Sequence, residues 1–305
     1  MIGFIVTEGE GAREEKLAFY RGQADRLAAA GVDARIFEFT GTASSLPEPG
    51  RIAVFDVDRM RVLKDFLDRS GIRQAPIVWN PYALFGAGQG WIRKSGSVIG
   101  VIAPSEFLGR QIHRYRLGKP VLCVTVSADL PEPEMDAERS FYGPVSRIGY
   151  FTTSAHYLAH IRGAVTRLRP DFEDIEWIEM DFETPDEWRR MVPRCDLFLS
   201  VRGLCGSALP LLDLMASEVI VCGSHGGGLR EIATAENGLW VDSATLDKFV
   251  EGLIAGLTEL QERPDLRCGF ARNARLSALR LDADATFKAN LYAWKQLVTL
   301  ANSGA

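Results

Sequence analysis

A glycine triplet, Gly226–Gly228, follows a short apolar run and is the feature of this sequence with the clearest chemical meaning. Glycines after a strand let backbone N–H groups approach a ligand, and unpaired N–H groups attract anions such as phosphate. His225 before the triplet could contact a phosphate or fill the loop, and Glu231 after it could contact a sugar or begin a helix. A plain flexible turn is the alternative interpretation of the triplet.

A second loop, after the apolar run Leu197–Ser200, carries further candidate phosphate ligands. It contains Arg202, Gly206 and Ser207. An arginine at this place could bind a phosphate through two parallel hydrogen bonds, and a surface salt bridge is the alternative. Loops at the carboxyl ends of parallel strands are where such folds bind phosphate-bearing ligands.

Asp213 lies three residues after Pro210, which is well placed to open a short helix over residues 210–216. The carboxylate near the start of this helix could accept hydrogen bonds from the ribose hydroxyls of a nucleotide. A solvated helix residue is the alternative interpretation.

Strands and helices alternate along the whole chain, which predicts parallel α/β sheets. We expect a first domain over residues 1–127, an interdomain linker rich in proline and acidic residues over 128–146, and a second domain over 147–284. The final helix, within residues 285–305, could pack back on the first domain or cap its own.

Two loops of the first domain add candidate ligand contacts. Gly11 and Arg13 follow the first predicted strand, and an arginine at a helix start is electrostatically disfavoured unless it has another task. Tyr82 lies in the aromatic, glycine-rich loop Asn80–Trp91, which could stack on a sugar or pack at a domain interface.

The segment Asp196–Gly238 resembles the donor-binding domain of retaining glycosyltransferases of the GT-B fold, family 4 in particular. Weaker similarity covers Met1–Phe39 and Val101–Val124. The matching residues are Asp196, Leu199–Ser200, Gly206, Leu209–Pro210, Leu212–Asp213, Met215–Ala216, Val219–Val221, Gly227–Gly228, Glu231–Ile232 and Asn237–Gly238.

This resemblance implies two Rossmann-like domains with parallel sheets facing a cleft. It implies a nucleotide sugar as donor substrate, a glycan, lipid or other acceptor in the cleft, retention of anomeric configuration, and neither a cofactor nor a metal. In the family, the acid at the position of Asp213 receives the ribose hydroxyls.

Two departures from the family pattern bear on catalysis. The first acid of the family's glutamate pair is Cys205 here, and a thiol carries no full negative charge at neutral pH unless its pKa is depressed. The basic pair that follows the first strand of the donor domain is missing, and His156 is the nearest replacement. The alternative hypothesis is therefore a catalytically impaired binding or scaffold protein beside an active partner.

Net charge, apolar runs and cysteine content narrow the possible classes of protein. The net charge of −5 argues against a nucleic-acid partner, and no apolar run approaches the roughly 18–20 residues that cross a bilayer. The N-terminus has the pattern of a strand and not of a signal peptide.

Five scattered cysteines, with no CxxC spacing and no metal-ligand pattern, are typical of a reduced, cytoplasmic protein. Homo- and hetero-oligomers both remain open.

Overall fold

The structure is a computed structural model that divides the chain into two compact units. It describes residues 1–7, 13–39, 52–56, 77–79, 89–95, 98–125, 127, 143–151, 155–181, 185–201, 209–225, 229–241 and 245–303. The first unit includes Met1–Asp129 and Ala283–Ala305, and the second includes Leu130–Gly203 and Ala208–Asp282.

The first unit contains a six-stranded parallel sheet with the strand order β2-β1-β3-β4-β5-β6. Its described elements are β1 (Ile2–Thr7), α1 (Arg13–Ala29), β2 (Ala34–Phe39), β3 (Ile52–Asp56), β4 (Ile77–Trp79), α2 (Gln89–Lys94), β5 (Gly100–Ala103), α3 (Glu106–Arg114), β6 (Val121–Cys123) and α9 (Ala283–Ser303). The strands are short apolar runs, as expected for a parallel sheet that is covered on both faces.

The C-terminal helix α9 packs on the first unit through its apolar face. The ring of Phe4 on β1 lies 5.1 Å from that of Tyr20 and 5.3 Å from that of Trp294. The Nε1 atom of the buried Trp294 donates a hydrogen bond of 3.1 Å to Oε1 of the buried Gln23. Asn290 adds two bonds to the backbone of Thr125, which follows β6.

The second unit contains a five-stranded parallel sheet with the strand order β11-β10-β9-β7-β8. Its described elements are β7 (Arg147–Phe151), α4 (Ala155–Leu168), β8 (Glu176–Met180), α5 (Pro185–Met191), β9 (Leu197–Ser200), α6 (Leu209–Ala216), β10 (Ile220–Gly223), β11 (Leu239–Trp240), α7 (Leu246–Glu262) and α8 (Pro264–Ala278).

Side chains of β9 alternate between the two faces of this sheet. Leu197 and Leu199 join a core that also includes residues of α4, α7 and α8. Phe198 points to the opposite face, where its ring lies 4.7 Å from Phe151 and 5.8 Å from Trp188. Because successive strand side chains point to opposite faces, the fully apolar run Leu197–Leu199 indicates a strand covered on both sides.

The predicted fold class is confirmed: each unit is a parallel α/β sheet of Rossmann-like type. One local prediction needs correction, because the loop predicted over Asn80–Trp91 gives way to helix α2 at Gln89. Most of the linker 128–146 lies outside the described residues, and the domain boundaries stay predictions.

The buried Trp294–Gln23 hydrogen bond gives a test of how α9 is held. We expect Trp294→Phe to lower the opening free energy of α9 by about 2–4 kcal/mol, because it removes volume and leaves Oε1 of Gln23 buried without its donor. Adding Gln23→Leu should recover part of this loss, since both polar partners are then gone. Amide hydrogen exchange in α9 measures the difference, and equal exchange in the single and double variants would contradict it.

Candidate functional site

The carboxyl ends of β9 and β10 bring the two candidate loops to one edge of the second sheet. The strands are adjacent and parallel, and Ser200 at the end of β9 is the register partner of Gly223 at the end of β10. The two strands therefore end side by side, and we call this edge of the sheet the carboxyl edge. Ligands of open α/β sheets bind outside such an edge.

Gly223 turns the chain at the carboxyl edge in a conformation that only glycine accepts. Its φ is +107°, and a Cβ atom there would lie 2.3 Å from the carbonyl oxygen of Ser200. That same carbonyl accepts a hydrogen bond of 2.7 Å from the N–H of Ser224, and the Gly223 carbonyl accepts one of 2.9 Å from Val241. This turn fixes the direction in which His225 and the following glycines leave β10.

Trp240 lies beside His225 and is a residue that the sequence reasoning did not identify. The two ring centroids are 6.4 Å apart, and both side chains are half-buried. Nε1 of Trp240 donates a hydrogen bond of 2.8 Å to Oδ1 of Asn237. A Cβ atom on Gly238 would lie 2.8 Å from the carbonyl oxygen of Val221 and 2.9 Å from the indole ring, so this position requires a glycine.

Asn237, part of the matched motif, has a structural task. Its buried side chain accepts a bond of 2.9 Å from the N–H of Thr234 and donates bonds to the carbonyl of Ile232, at 2.5 Å, and to Oγ of Ser277, at 2.8 Å. These bonds hold the turn that leads into β11. A buried amide with this many partners is explained without a ligand.

Asp196, the first motif residue, also has a structural task and lies at the opposite end of the sheet. Its carboxylate accepts bonds of 2.9 and 3.0 Å from the N–H and the hydroxyl of Ser146, and one of 2.9 Å from the N–H of Arg147. It therefore holds the beginning of β7 against the beginning of β9. The contacts account for this aspartate without any role toward a donor.

Asp213 lies on α6, which begins at Leu209 with Pro210 in its first turn, as predicted. Its side chain is half-buried. The hydroxyl of Ser200, at the carboxyl edge, is fully buried and has no hydrogen-bond partner among the residues that the structure describes. Ser200 thus provides a buried polar group at the end of β9, and Asp213 lies on the helix that follows this strand.

Glu231 does not begin a helix, which corrects the prediction. Residues 229–232 form turns, in which the N–H groups of Ile232 and Ala233 bond to the carbonyl of Leu229. Glu231 is exposed. The residues directly after the glycine triplet therefore supply no helix dipole, and backbone N–H groups are the candidate anion ligands of this loop.

Most of the other predicted site residues lie outside the part of the chain that the structure describes. These are Arg202, Cys205, Gly206, Ser207, Gly226, Gly227, Gly228, Gly11 and Tyr82. The side chains of Arg13 and His156 also lie outside it, although their backbones belong to α1 and α4. Their assignment to ligands stays a prediction.

Burial sets the chemistry of the Cys222 thiol, on the strand that ends at the carboxyl edge. Cys222 on β10 is buried, and desolvation raises the pKa of its thiol far above the usual range. It stays protonated and behaves as a small apolar side chain. Cys195 is likewise buried, whereas Cys268 is exposed.

The described residues contain neither a cluster of metal ligands nor a membrane-spanning helix. No group of three or more His, Cys, Asp or Glu side chains there is placed to hold a metal ion. Within the same ranges, no helix combines the length and the apolar character needed to cross a membrane.

Solved structures with a similar fold are glycosyltransferases. HepE of Anabaena, in complex with UDP and glucose, is 14% identical over 98% of this chain and 99% of its own, with a TM-score of 0.62. Sucrose-phosphate synthase of Thermosynechococcus elongatus is 13% identical over 98% and 99%, with a TM-score of 0.65. A glycosyltransferase of Rickettsia africae is 11% identical over 97% and 98%, with a TM-score of 0.63.

At these identities the likeness shows the fold, which is that of GT-B glycosyltransferases. No protein-family model matches the chain. No curated protein matches it either.

The turn at Gly223 gives a test of the carboxyl edge. We expect Gly223→Ala to destabilise the second unit by about 2–4 kcal/mol, because the added Cβ meets the carbonyl of Ser200 and the positive φ disfavours alanine. Gly163→Ala is the matched control. This glycine lies within α4 with nothing near its added Cβ, so the change should stabilise by about 0.5–1 kcal/mol. Urea denaturation checks both signs, and a harmless Gly223→Ala would contradict the geometry.

Proposed function

We propose that this protein is a glycosyltransferase of the family 4 type, which transfers a sugar from a nucleotide-sugar donor to a glycan, lipid or other acceptor. The observation that carries the proposal is a GT-B fold along nearly the whole chain, shared with an enzyme whose structure holds UDP and glucose. The meeting of the loops after β9 and β10 at one edge supports it, because that edge is where such a donor would bind.

Asp213 would orient the nucleotide. Its carboxylate on α6 would accept hydrogen bonds from the two ribose hydroxyls, and such charge-assisted bonds contribute about 1.5–3 kcal/mol each. Aspartate has a shorter side chain than the glutamate of the family, but both of its carboxylate oxygens could still accept bonds from the two ribose hydroxyls.

Backbone N–H groups would hold the diphosphate. The loop Gly226–Gly228 and the first turn of α4, which follows β7, would offer backbone donors, with Arg202 and Ser207 as further contacts. As the sugar departs, negative charge develops on the diphosphate, and fixed donors stabilise it without a metal ion. We propose retention of anomeric configuration on the resemblance alone, and no nucleophile or base is assigned.

A second candidate is a nucleotide-sugar-binding protein without turnover. Cys205 stands where the family places an acid against the donor sugar, and this observation favours impaired catalysis. The two candidates share the donor site and differ in whether the bond between sugar and diphosphate breaks.

Ligand-induced stabilisation tests the donor site. We expect UDP or another nucleoside diphosphate, at about 100 times its Kd, to stabilise the protein by about 2.7 kcal/mol in thermal unfolding. Asp213→Asn should weaken this affinity by about 10-fold to 100-fold, because the ribose loses charge-assisted bonds. Asp174→Asn, at an exposed aspartate after α4 in the same unit, is the control and should leave the affinity unchanged.

Turnover separates the two candidates. Release of free nucleoside diphosphate from a nucleotide sugar, lost in Asp213→Asn and retained in Asp174→Asn, would support the transferase. Binding without release from any donor would support the impaired protein. Absence of binding to every nucleoside diphosphate and nucleotide sugar would refute both.

A further inference from the structure

Basic residues cluster in one segment of an otherwise acidic chain. Residues 93–119 contain six Lys and Arg and one acidic residue, Glu106, whereas the whole chain has a net charge of −5. Glu106 forms an ion pair of 3.3 Å with Arg110 at the start of α3. The cationic side chains that remain form what we call the basic patch: Arg93, Lys94, Arg114, Arg116 and Lys119.

Two hydrogen bonds bring the segments that carry the basic patch together at the amino ends of β5 and β6. Nη2 of Arg93, in the last turn of α2, donates a bond of 2.9 Å to the carbonyl of Tyr115, directly after α3. Nζ of Lys119 donates one of 2.7 Å to the carbonyl of Ser95, directly after α2. The ends of α2 and α3 are thereby tied together, on the end of this sheet opposite to its carboxyl ends.

The basic patch has no acidic counterpart in the described part of the chain. Arg93, Lys94, Arg114 and Arg116 are exposed, and Lys119 is half-buried. Among the described residues, none of the five forms an ion pair with a carboxylate. Cations at helix C-termini complement the helix dipole, which explains one or two of them, but not five charges gathered from two helices and the loop between α3 and β6.

Arg116 occupies a backbone position at which an arginine is costly. Its φ is +48°, in the left-handed region that favours glycine, whereas two residues later the chain places a glycine, Gly118, at a φ of +68°. A bulky residue in this region is uncommon and suggests a functional role. The exposed charge of Arg116 is consistent with a role in binding an anion.

We propose that the basic patch binds an anionic lipid surface. Each basic side chain near such a surface strengthens binding about fivefold, and interactions decay within a Debye length of about 8–10 Å. A lipid surface needs one basic face, whereas a long flexible polyanion would also meet the acidic remainder of a chain whose net charge is −5. This inference does not rest on the proposed function.

Co-sedimentation of the full chain with vesicles tests the proposal. We expect binding to phosphatidylcholine vesicles that contain about 30% phosphatidylglycerol, no binding to phosphatidylcholine alone, and loss of binding when salt rises from about 50 mM to about 500 mM. Lys94→Ala/Arg114→Ala/Arg116→Gly should weaken the affinity about 100-fold. It spares the two hydrogen bonds of Arg93 and Lys119, and Arg116→Gly relieves the positive φ, so the melting temperature should not fall.

The control removes the same charge from exposed arginines of the second unit. Arg167→Ala/Arg272→Ala/Arg280→Ala should bind vesicles as the unchanged protein does. Equal losses in the two triple variants, or no binding of the unchanged protein to anionic vesicles at low salt, would overturn the proposal. Tighter binding to a DNA duplex than to the vesicles would overturn it in favour of a nucleic acid.

Discussion

Parallel strand pairing is the constraint on which the rest of each unit depends. Adjacent parallel strands require a crossover connection, and each crossover begins in a loop at the carboxyl ends of the strands. In the second unit this brings the carboxyl ends of β9 and β10 side by side. The candidate donor residues after β9 and those after β10 are separated in sequence because helix α6 and strand β10 lie between them.

The fold could be predicted from the sequence because its signals are local. Apolar runs such as Leu197–Leu199 and helix starts such as Ser105, whose hydroxyl accepts a bond from the N–H of Leu108, depend on neighbouring residues. The helix α8 is harder to predict because several arginines interrupt its apolar stripe, which includes Phe270, Ala271 and Ala274. Asp213 on α6 could be placed from Pro210 alone.

The site could be predicted less well because its decisive contacts join residues distant in sequence. The clash that makes Gly223 necessary involves the carbonyl of Ser200, which only strand pairing brings near. The indole of Trp240 lies beside His225 because β11 pairs with β10. Asp196 and Asn237 match the family motif, but the contacts of Asp196 hold the beginning of a strand and those of Asn237 hold a turn. A residue can therefore match a motif for a structural reason and not because it binds a ligand.

Side-chain contacts of the same kind also fix the chain directly before β7. Before β7, Gln261 bonds to both backbone groups of Val145, Arg267 bonds to the carbonyl of Gly143, and Asp196 bonds to Ser146. All three side chains come from the second unit itself. Gly143 is therefore already held by that unit, and the position of β7 is anchored by side chains that come from far later in the sequence.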